Sequence, residues 1–321
     1  MGDRFPFGIP DGWYVVAASD ELRPGQVVAR RYFDRELAIY RSESGVVSII
    51  DAFCPHMGAH LGKVGQVRGE TLRCAFHGFV YDGLGSCVAT AYGGPPPAKA
   101  RLQRWEVREQ NGLILTYFDS QGRAPEWEVP VLDETGWNRI RWKRFAIDTH
   151  PQETTENSVD FGHFTELHGF IDGSVLQAVQ TSGPYLQTSY RAWRPYGLPK
   201  REPIYKFPVE YHVKVWGLGF SQVDVEIGLF GINARVFVLP VPIDDEHIDL
   251  VLGVSTETKF GPIAPLLRAI AHNILCKEVG QDLDIWNYKA YIQLPALAKG
   301  DGPVATYRAW ARQFYSDEQR S

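Results

Sequence analysis

Two short cysteine–histidine pairs constrain this 321-residue chain more than any other feature of its sequence. The first pair is Cys54 and His56, and the second pair, after seventeen intervening residues, is Cys74 and His77. Thiols and imidazoles repeated at such short spacing, with glycines beside them, are typical of a metal site. The fold must therefore bring two separate segments to one point. We expect both pairs to lie at the tips of loops in a small domain.

The mixed composition of the two pairs favours an iron–sulfur centre. Two thiolates can hold one iron of a [2Fe–2S] cluster while two neutral imidazoles hold the other, which raises the reduction potential above that of an all-cysteine cluster. Zinc also binds two Cys and two His, but its usual order pairs Cys with Cys and His with His. Zinc is therefore the alternative, and four unrelated residues are a third interpretation that the repeated pairing disfavours.

The residues around the pairs resemble the Rieske domain of the Rieske non-haem iron oxygenases. The resemblance rests on residues 54–61 (CPHMGAHL), 74–82 (CAFHGFVYD) and 85–87 (GSC). Many members carry Arg and Trp where this chain has Met57 and Phe79. With Met57 the sequence is similar to the steroid-hydroxylating branch, which includes the oxygenase component of 3-ketosteroid 9α-hydroxylase.

Composition and charge exclude several classes of protein. The net charge of −5 and the pI near 6.0 provide no basic face for nucleic acid, so we expect no nucleic-acid role. Residues 1–6 contain no apolar signal segment, and no stretch reaches the roughly 18 continuous apolar residues that a spanning helix needs. We expect a cytoplasmic protein without a transmembrane segment. Cys87 and Cys276 are isolated and are expected to be buried thiols.

The first third of the chain has the pattern of a small antiparallel sheet domain. Short β-type runs alternate with turns as far as residue 118. The last of these runs form a predicted hairpin, because Asn111-Gly112 supplies the two positive-φ positions of a tight turn. The polar, turn-rich residues 119–125 then mark a boundary. The sequence thus predicts one domain over residues 1–118 and a second over residues 119–321.

The second domain combines a sheet with helices. Residues 209–258 alternate apolar and polar positions, which predicts an antiparallel sheet, and residues 265–291 have helical periodicity. The expected fold class is α+β, with an N-terminal all-β Rieske [2Fe–2S] domain and a catalytic domain of the helix-grip type, an antiparallel sheet flanked by helices. Residues 170–205 are expected to form an insertion whose aromatic side chains line a pocket.

A second group of candidate ligands follows at the start of this domain. Asn157, Asp160 and His163 are spaced at i+3, so we predict that they share a helix face. His168 lies five residues beyond His163, a spacing that a regular helix does not place on one face. Both imidazoles can point at one centre only if the helix ends or is wound more loosely between them.

The last predicted helix carries two aspartates, Asp282 and Asp284. The helical neighbours of Asp282 are mainly apolar, so Asp282 is predicted to lie on the inward side, where a carboxylate needs a partner. Two imidazoles and one carboxylate form the ligand set of non-haem iron oxygenases. His163, His168 and Asp282 fit that set. Without the first domain, the two imidazoles would equally suit a structural role or a hydrolytic zinc site.

The resemblance to Rieske oxygenases extends over nearly the whole chain, since the family pairs the cluster motif with an Asn/Asp-x-x-His-x4-His segment and a distant aspartate. It implies that the cluster ligands are Cys54, His56, Cys74 and His77, and that the Fe(II) ligands are His163, His168 and Asp282. It also implies that Asp160 connects His163 to His77 of a neighbouring subunit in a homotrimer. Asn157 is expected to line the iron site.

The expected function is that of a terminal oxygenase component, a monooxygenase that hydroxylates a small apolar but bulky substrate, steroid-like or polycyclic, with O₂. Electrons are expected from NAD(P)H through a separate reductase, with or without a ferredoxin, because this sequence has no Gly-x-Gly-x-x-Gly nucleotide motif. Alternatives within the family are an aromatic-ring dioxygenase and an O-demethylase. An alternative of another class is a Rieske electron carrier or ligand-binding module without catalytic iron.

Three further histidines receive no ligand role from the sequence. His60 is expected to be an exposed loop residue, because its spacing fits neither pair. His212 and His247 lie in or beside predicted strands without a spaced partner, so they are expected on a sheet face or at the surface.

Overall fold

The computed structural model describes residues 4–196, 204–228, 232–257 and 261–316. They form two compact units, one from Trp13–Val131 and the other from the described parts of residues 1–12 and 132–321. Each unit has a hydrophobic core of its own. In the described part of the chain, no helix combines the length and the hydropathy needed to span a bilayer.

The smaller unit consists of short strands and one helical turn. The strands are β1 (Gly12–Ala18), β2 (Val27–Tyr32), β3 (Arg35–Arg41), β4 (Val47–Asp51), β5 (Gly65–Arg68), β6 (Thr71–Cys74), β7 (Val80–Tyr81), β8 (Cys87–Ala89), β9 (Glu106–Gln110) and β10 (Leu113–Phe118), and the helical turn is α1 (Leu61–Val64). They form three sheets in the orders β1-β10-β9, β2-β3-β4 and β5-β6-β7-β8. The all-β fold predicted for this part of the chain is confirmed.

The hairpin of β9 and β10 has the predicted turn. Gln110 pairs with Leu113, and between them Asn111 and Gly112 have φ angles of 58° and 70°. Positive φ at both central positions gives the turn a twist that matches the two flanking strands.

The segment after β10 folds back on the smaller unit. Trp127 O accepts a bond of 2.7 Å from the Trp13 side chain, and Val129 O accepts one of 2.8 Å from Gln110. Asn111 likewise donates to Pro130 O at 2.9 Å. Because of these bonds, the compact unit extends to residue 131, beyond the boundary predicted at residue 118. The point at which one functional domain gives way to the other stays a prediction.

The larger unit is built on a seven-stranded sheet in the order β11-β17-β16-β15-β14-β13-β12, with antiparallel neighbours. Its strands are β11 (Arg141–Ile147), β12 (Ile171–Ser182), β13 (Tyr185–Tyr196), β14 (Tyr205–Trp216), β15 (Phe220–Ile227), β16 (Ile232–Pro242) and β17 (Ile248–Thr256). Its helices are α2 (Pro151–Glu156), α3 (His163–Glu166), α4 (Ala264–Tyr288) and α5 (Val304–Ala311), and single 3₁₀ turns in the two units occupy Ser19–Glu21, Gly261–Ile263 and Arg312–Phe314. The predicted α+β class is confirmed.

The long helix α4 packs on one face of the sheet. Alternation along the strands places residues such as Tyr211, Val225 and Val236 in one buried cluster with Cys276 of α4. Cys276 is therefore buried as predicted. The predicted burial of Cys87 in the other unit is wrong, because Cys87 lies on the short strand β8 and is partly exposed.

Two strands stand where the sequence indicated an insertion. β12 and β13 form a hairpin at the edge of the sheet, and β13 pairs with β14 over its whole length. Most of β12 is exposed and its register shifts at several points, so it lacks the alternation that reveals a strand. Part of the predicted insertion, residues 197–203, lies outside the described residues.

Two candidate metal centres

The two Cys–His pairs occupy matching turns in the smaller unit. Cys54 N donates to Ala59 O and Gly58 N donates to Cys54 O, while Cys74 N donates to Phe79 O and Gly78 N donates to Cys74 O. Each turn closes on a glycine of positive φ, 75° at Gly58 and 67° at Gly78. Both cysteines thus begin a loop of the same shape, which directs each following histidine to the same end of the unit.

The two histidine rings lie side by side there, and the thiols of Cys54 and Cys74 are neighbours inside the unit. The rings of His56 and His77 are 4.6 Å apart between centroids, and His56 stacks on Phe79 at 4.3 Å. The thiols of Cys54 and Cys74 are buried at 2% and 1% exposure, whereas the imidazoles are partly exposed. A mixed cluster in this setting would have its thiolate side inside the domain and its imidazole side near the surface.

The surroundings of the thiols fit a metal cluster. Burial and then the neighbouring Cys74 raise the pKa of Cys54, although hydrogen bonds from Tyr81 and His56 act against them. The Tyr81 hydroxyl lies 3.0 Å from Cys54 Sγ and can donate to a thiolate. Buried thiolates need such donors or a metal, because an unpaired buried charge is costly. Two thiols, two imidazoles and a donor to sulfur match the mixed Rieske ligand set.

His60 is not the exposed loop residue that we expected. Its side chain is only 17% exposed, and its Nε2 lies 3.2 Å from Glu36 Oε2. It precedes α1 and meets the ring of Phe53 edge-on. The error has a physical cause, since its partner comes from another strand that local spacing does not reveal.

In the larger unit, the structure brings His163, His168 and Asp282 together. One ligand atom from each lies within 4.8 Å of the other two. His168 Nε2 is 3.5 Å from Asp282 Oδ1, and the two imidazole centroids are 5.2 Å apart. His163 Nδ1 is buried and has no hydrogen-bond partner among the described residues. Two imidazoles and one carboxylate with ligand atoms this close fit a divalent iron.

The predicted break between the two histidines is confirmed. Helix α3 begins at His163 and ends at Glu166, so His168 lies beyond it, just before Gly169, whose φ is 70°. The predicted common helix face of Asn157, Asp160 and His163 is wrong. Helix α2 ends at Glu156, and the backbone between it and α3 forms turns.

Asn157 and Asp160 nevertheless lie beside the three candidate ligands. Asn157 Nδ2 donates to Asp282 Oδ1 at 3.4 Å, and Asp160 Oδ2 lies 3.6 Å from His163 Nδ1. Asp160 Oδ1 also accepts from the backbone N–H of Gly162. The connection of Asp160 to another subunit stays a prediction.

Helix α4 orients Asp282 and Asp284 as the sequence indicates, with Asp282 buried and Asp284 exposed. The adjacent residue Gln281, to which the sequence assigned no role of its own, has its Oε1 3.1 Å from His168 Nδ1. If that contact takes the ring proton, Nε2 is left as the ligating nitrogen on the Asp282 side.

An apolar cleft opens beside this centre, between the sheet and α4. The space between its walls, including the open solvent at its mouth, is about 910 Å³. Its apolar walls are Phe161, Phe164, Tyr190, Tyr211, Val213, Val223, Val225, Val236, Val238, Leu275, Val279 and Trp286. Six valines, one leucine and five aromatic side chains form a surface suited to a large apolar ligand. Tyr190, from the aromatic segment singled out in the sequence, is one of these walls.

A third group of possible ligands lies on the neighbouring strands β14 and β15. His212 is partly exposed on β14, as expected for a residue on a sheet face, and its Nε2 is 3.6 Å from Glu226 and 3.9 Å from Glu210. Arg191 already binds Glu210 Oε1 at 2.6 Å, and we assign these residues to an ion-pair network. His247 Nδ1 lies 2.6 Å from Asp244 Oδ1, and the side chain is exposed between β16 and β17, as expected for a surface residue.

Comparison with known proteins places both units in described families. Residues 12–104 match the Rieske [2Fe-2S] domain. Residues 116–315 match the 3-Ketosteroid 9alpha-hydroxylase C-terminal domain.

Among curated proteins, cholesterol 7-desaturase nvd 1 of Ciona intestinalis is 33% identical over 99% of this chain and 71% of its own length. The oxygenase component of 3-ketosteroid-9-alpha-monooxygenase of Rhodococcus rhodochrous is 26% identical over 95% of this chain and 84% of its own. Among solved structures, dicamba monooxygenase bound to dicamba has a TM-score of 0.76 at 20% identity, covering 96% of this chain and 98% of its own.

Proposed function

Because this chain belongs to the Rieske oxygenases with a 3-ketosteroid 9alpha-hydroxylase type of C-terminal domain, we propose that it is the terminal component of a monooxygenase that hydroxylates a bulky apolar, steroid-like substrate. Membership makes the chain an oxygenase with a Rieske [2Fe–2S] cluster and a mononuclear iron that uses O₂. The substrate, the source of the electrons and the residue assignments belong to the proposal.

One observation carries the proposal, the meeting of His163, His168 and Asp282 at the edge of an apolar cleft. In the proposed assignment these three residues hold Fe(II), while Cys54 and Cys74 hold one cluster iron and His56 and His77 the other. When bound, the cluster supplies single electrons and the iron supplies O₂ activation for insertion of one oxygen atom into a substrate C–H bond. An electron carrier would have no need of the second ligand set.

The residues of the chain prepare this site. Asn157 holds one oxygen of Asp282, and Gln281 fixes the orientation of the His168 ring. The valines of β14, β15 and β16 exclude water from the cleft and align an apolar substrate by shape. These contacts define where the reacting carbon must lie, beside the open side of the ligand set.

The proposal includes two kinds of partner. A separate reductase, with or without a ferredoxin, would bring electrons from NAD(P)H. Other copies of the chain would form a closed ring, in which Asp160 connects His163 to the neighbouring subunit's His77. The printed name of the Rhodococcus relative, an oxygenase component, supports a multicomponent system.

Desaturation of a sterol is the second candidate. Several cholesterol 7-desaturases match nearly the whole chain, at identities from 25% to 33%, and the 9-alpha-monooxygenase component matches at 26%. Both reactions begin at an apolar C–H bond, so product analysis must separate them.

The test is metal content together with turnover of steroids. Wild type should contain three irons and two sulfides per chain, with a low-temperature EPR signal of a mixed His/Cys cluster in the reduced protein. The variant His163→Ala should lose one iron and keep the cluster signal. With a surrogate reductase and NADH, mass spectrometry should show a steroid gaining one oxygen or, for the desaturase, losing two hydrogens. Two irons in both proteins would contradict the proposal.

A further inference from the structure

One charged side chain lines the apolar cleft without belonging to the proposed iron ligands. Glu278 lies on α4, one helical turn before Asp282, and contributes to the cleft wall. Among the described wall residues, the other ionisable groups that could bind a metal are His163, His168 and Asp282. Since Glu278 remains when those three are assigned, its carboxylate is available for another task.

Arg194 holds Glu278 in place from outside the cleft. Its Nη1 lies 3.2 Å from Glu278 Oε1 and donates to His168 O at 2.8 Å, and its guanidinium lies over the ring of Phe170. The opposite charge lowers the cost of keeping the carboxylate in an apolar wall. Arg194 is not among the described residues that line the cleft. The cleft therefore presents the acceptor of this ion pair and not its donor.

We propose that Glu278 determines substrate specificity by accepting a hydrogen bond from a hydroxyl group, so that the cleft selects a sterol-type alcohol over the corresponding ketone. The inference rests on the proposed function. A carboxylate gains a charge-assisted bond from an O–H donor. A ketone brings a second acceptor to the same point, and its oxygen finds no donor in Glu278, whose own donor, Arg194, is not among the residues that line the cleft.

The proposed role of Glu278 distinguishes between two substrate classes, both of which occur among the relatives of this chain. Their printed names include cholesterol, which is an alcohol, and a 3-ketosteroid. A carboxylate in the wall favours the alcohol class for this chain. Glu278 is also one helical turn from Asp282, so a hydroxyl bound there fixes which ring carbons can approach the metal ligands.

The experiment compares the binding of a matched pair, 5α-cholestan-3β-ol and 5α-cholestan-3-one, to the purified iron-loaded protein by quenching of tryptophan fluorescence. Wild type should bind the alcohol roughly tenfold to a hundredfold more tightly than the ketone, the range expected for one hydrogen bond to a charged group. In Glu278→Gln, the volume is kept and the charge is lost. The preference should fall to about threefold or less, mainly through weaker binding of the alcohol.

Asp284→Asn is the matched control, because Asp284 is an exposed carboxylate on the same helix. It should leave both dissociation constants and the iron content at wild-type values. Equal binding of alcohol and ketone to wild type, or an equal loss for both in Glu278→Gln, would overturn the inference while leaving a steroid oxygenase intact. If wild type binds neither steroid, the proposed function fails together with the inference.

Discussion

At the scale of single residues, Asp160 combines two tasks at the start of α3. Its Oδ1 accepts from the backbone N–H groups of Gly162 and His163, at 3.1 and 3.4 Å, while its Oδ2 faces the His163 ring. Burial raises the pKa of Asp160, but the neighbouring His163 ring and the two backbone N–H donors outweigh burial and lower it. The group is therefore an anion near neutral pH, placed both to order the backbone and to act on an imidazole.

The two tasks can be separated by a pair of substitutions. Asp160→Asn keeps an oxygen for the two backbone donors but removes the charge, so it should retain the fold and both metals while turnover falls by more than tenfold. Asp160→Ala also loses the backbone bonds and should be less stable by about a further 1 kcal/mol. Iron analysis, urea unfolding and coupled turnover measure the three quantities. Wild-type turnover in Asp160→Asn would contradict a role for the charge.

At the scale of helices, a buried charged cluster joins the elements that carry the candidate ligands. It consists of Glu153 and Glu156 on α2, Lys289 just after α4, and Arg308 on α5. Lys289 Nζ lies 2.8 Å from Glu153 Oε2 and 3.2 Å from Glu156 Oε1, and Arg308 Nε donates to Glu156 Oε2 at 2.6 Å. Because α2 leads into Asn157 and α4 carries Asp282, the cluster sets the distance between two sides of the candidate iron site.

Lys289→Met should therefore destabilise the protein and loosen the site. It leaves the fully buried Glu153 without its cation, which costs about 3 kcal/mol, near the lower end for a broken buried pair because the carboxyl can take up a proton. Urea unfolding measures the loss, and Co(II) titration of the iron-free protein measures the weaker metal affinity.

The double variant Lys289→Met with Glu153→Gln serves as the control for this pair. It removes the unpaired charge as well and should recover part of the lost stability. If the free energy of unfolding of Lys289→Met fell by less than about 1 kcal/mol, the ion pair would not contribute to stability beyond the level of a surface pair.

At the scale of the whole molecule, the sequence predicts features whose causes are local. The turn at Asn111-Gly112, the interrupted helix between His163 and His168, and the inward side of Asp282 all follow from spacing and residue type. Hydrogen bonds between residues that are far apart in the sequence leave no such local signal. The Arg4 side chain donates to Lys289 O and Tyr307 OH donates to Gln152 O, across 285 and 155 positions of sequence. The edge strand β12 was not predicted for another reason. It is mostly exposed and contains bulges, so its sequence does not alternate between apolar and polar residues.

His150 is another product of long-range packing, and its burial gives the larger unit a dependence on pH. Its Nδ1 accepts from Gln152 N at the start of α2, and its Nε2 lies 3.2 Å from Gly8 O. The ring is completely buried beside Phe5 and Phe7. Burial lowers the pKa of His150 from 6.5 to about 4, even though the bond to Gly8 acts in the opposite direction.

The stability of the protein should therefore fall as the pH drops from about 6.5 to about 4. In that window the unfolded chain binds a proton at His150 and the folded protein does not, so the free energy of unfolding decreases by about 3 kcal/mol and then levels off below pH 4. His150→Asn retains an acceptor for Gln152 N and should lose this slope. Burial raises the pKa of Glu153, so this residue makes the free energy of unfolding increase as the pH falls. The effect is the same in wild type and in His150→Asn, so it cancels when the two are compared. Urea unfolding at half-unit pH steps measures the difference, and equal slopes in the two proteins would show that His150 does not control it.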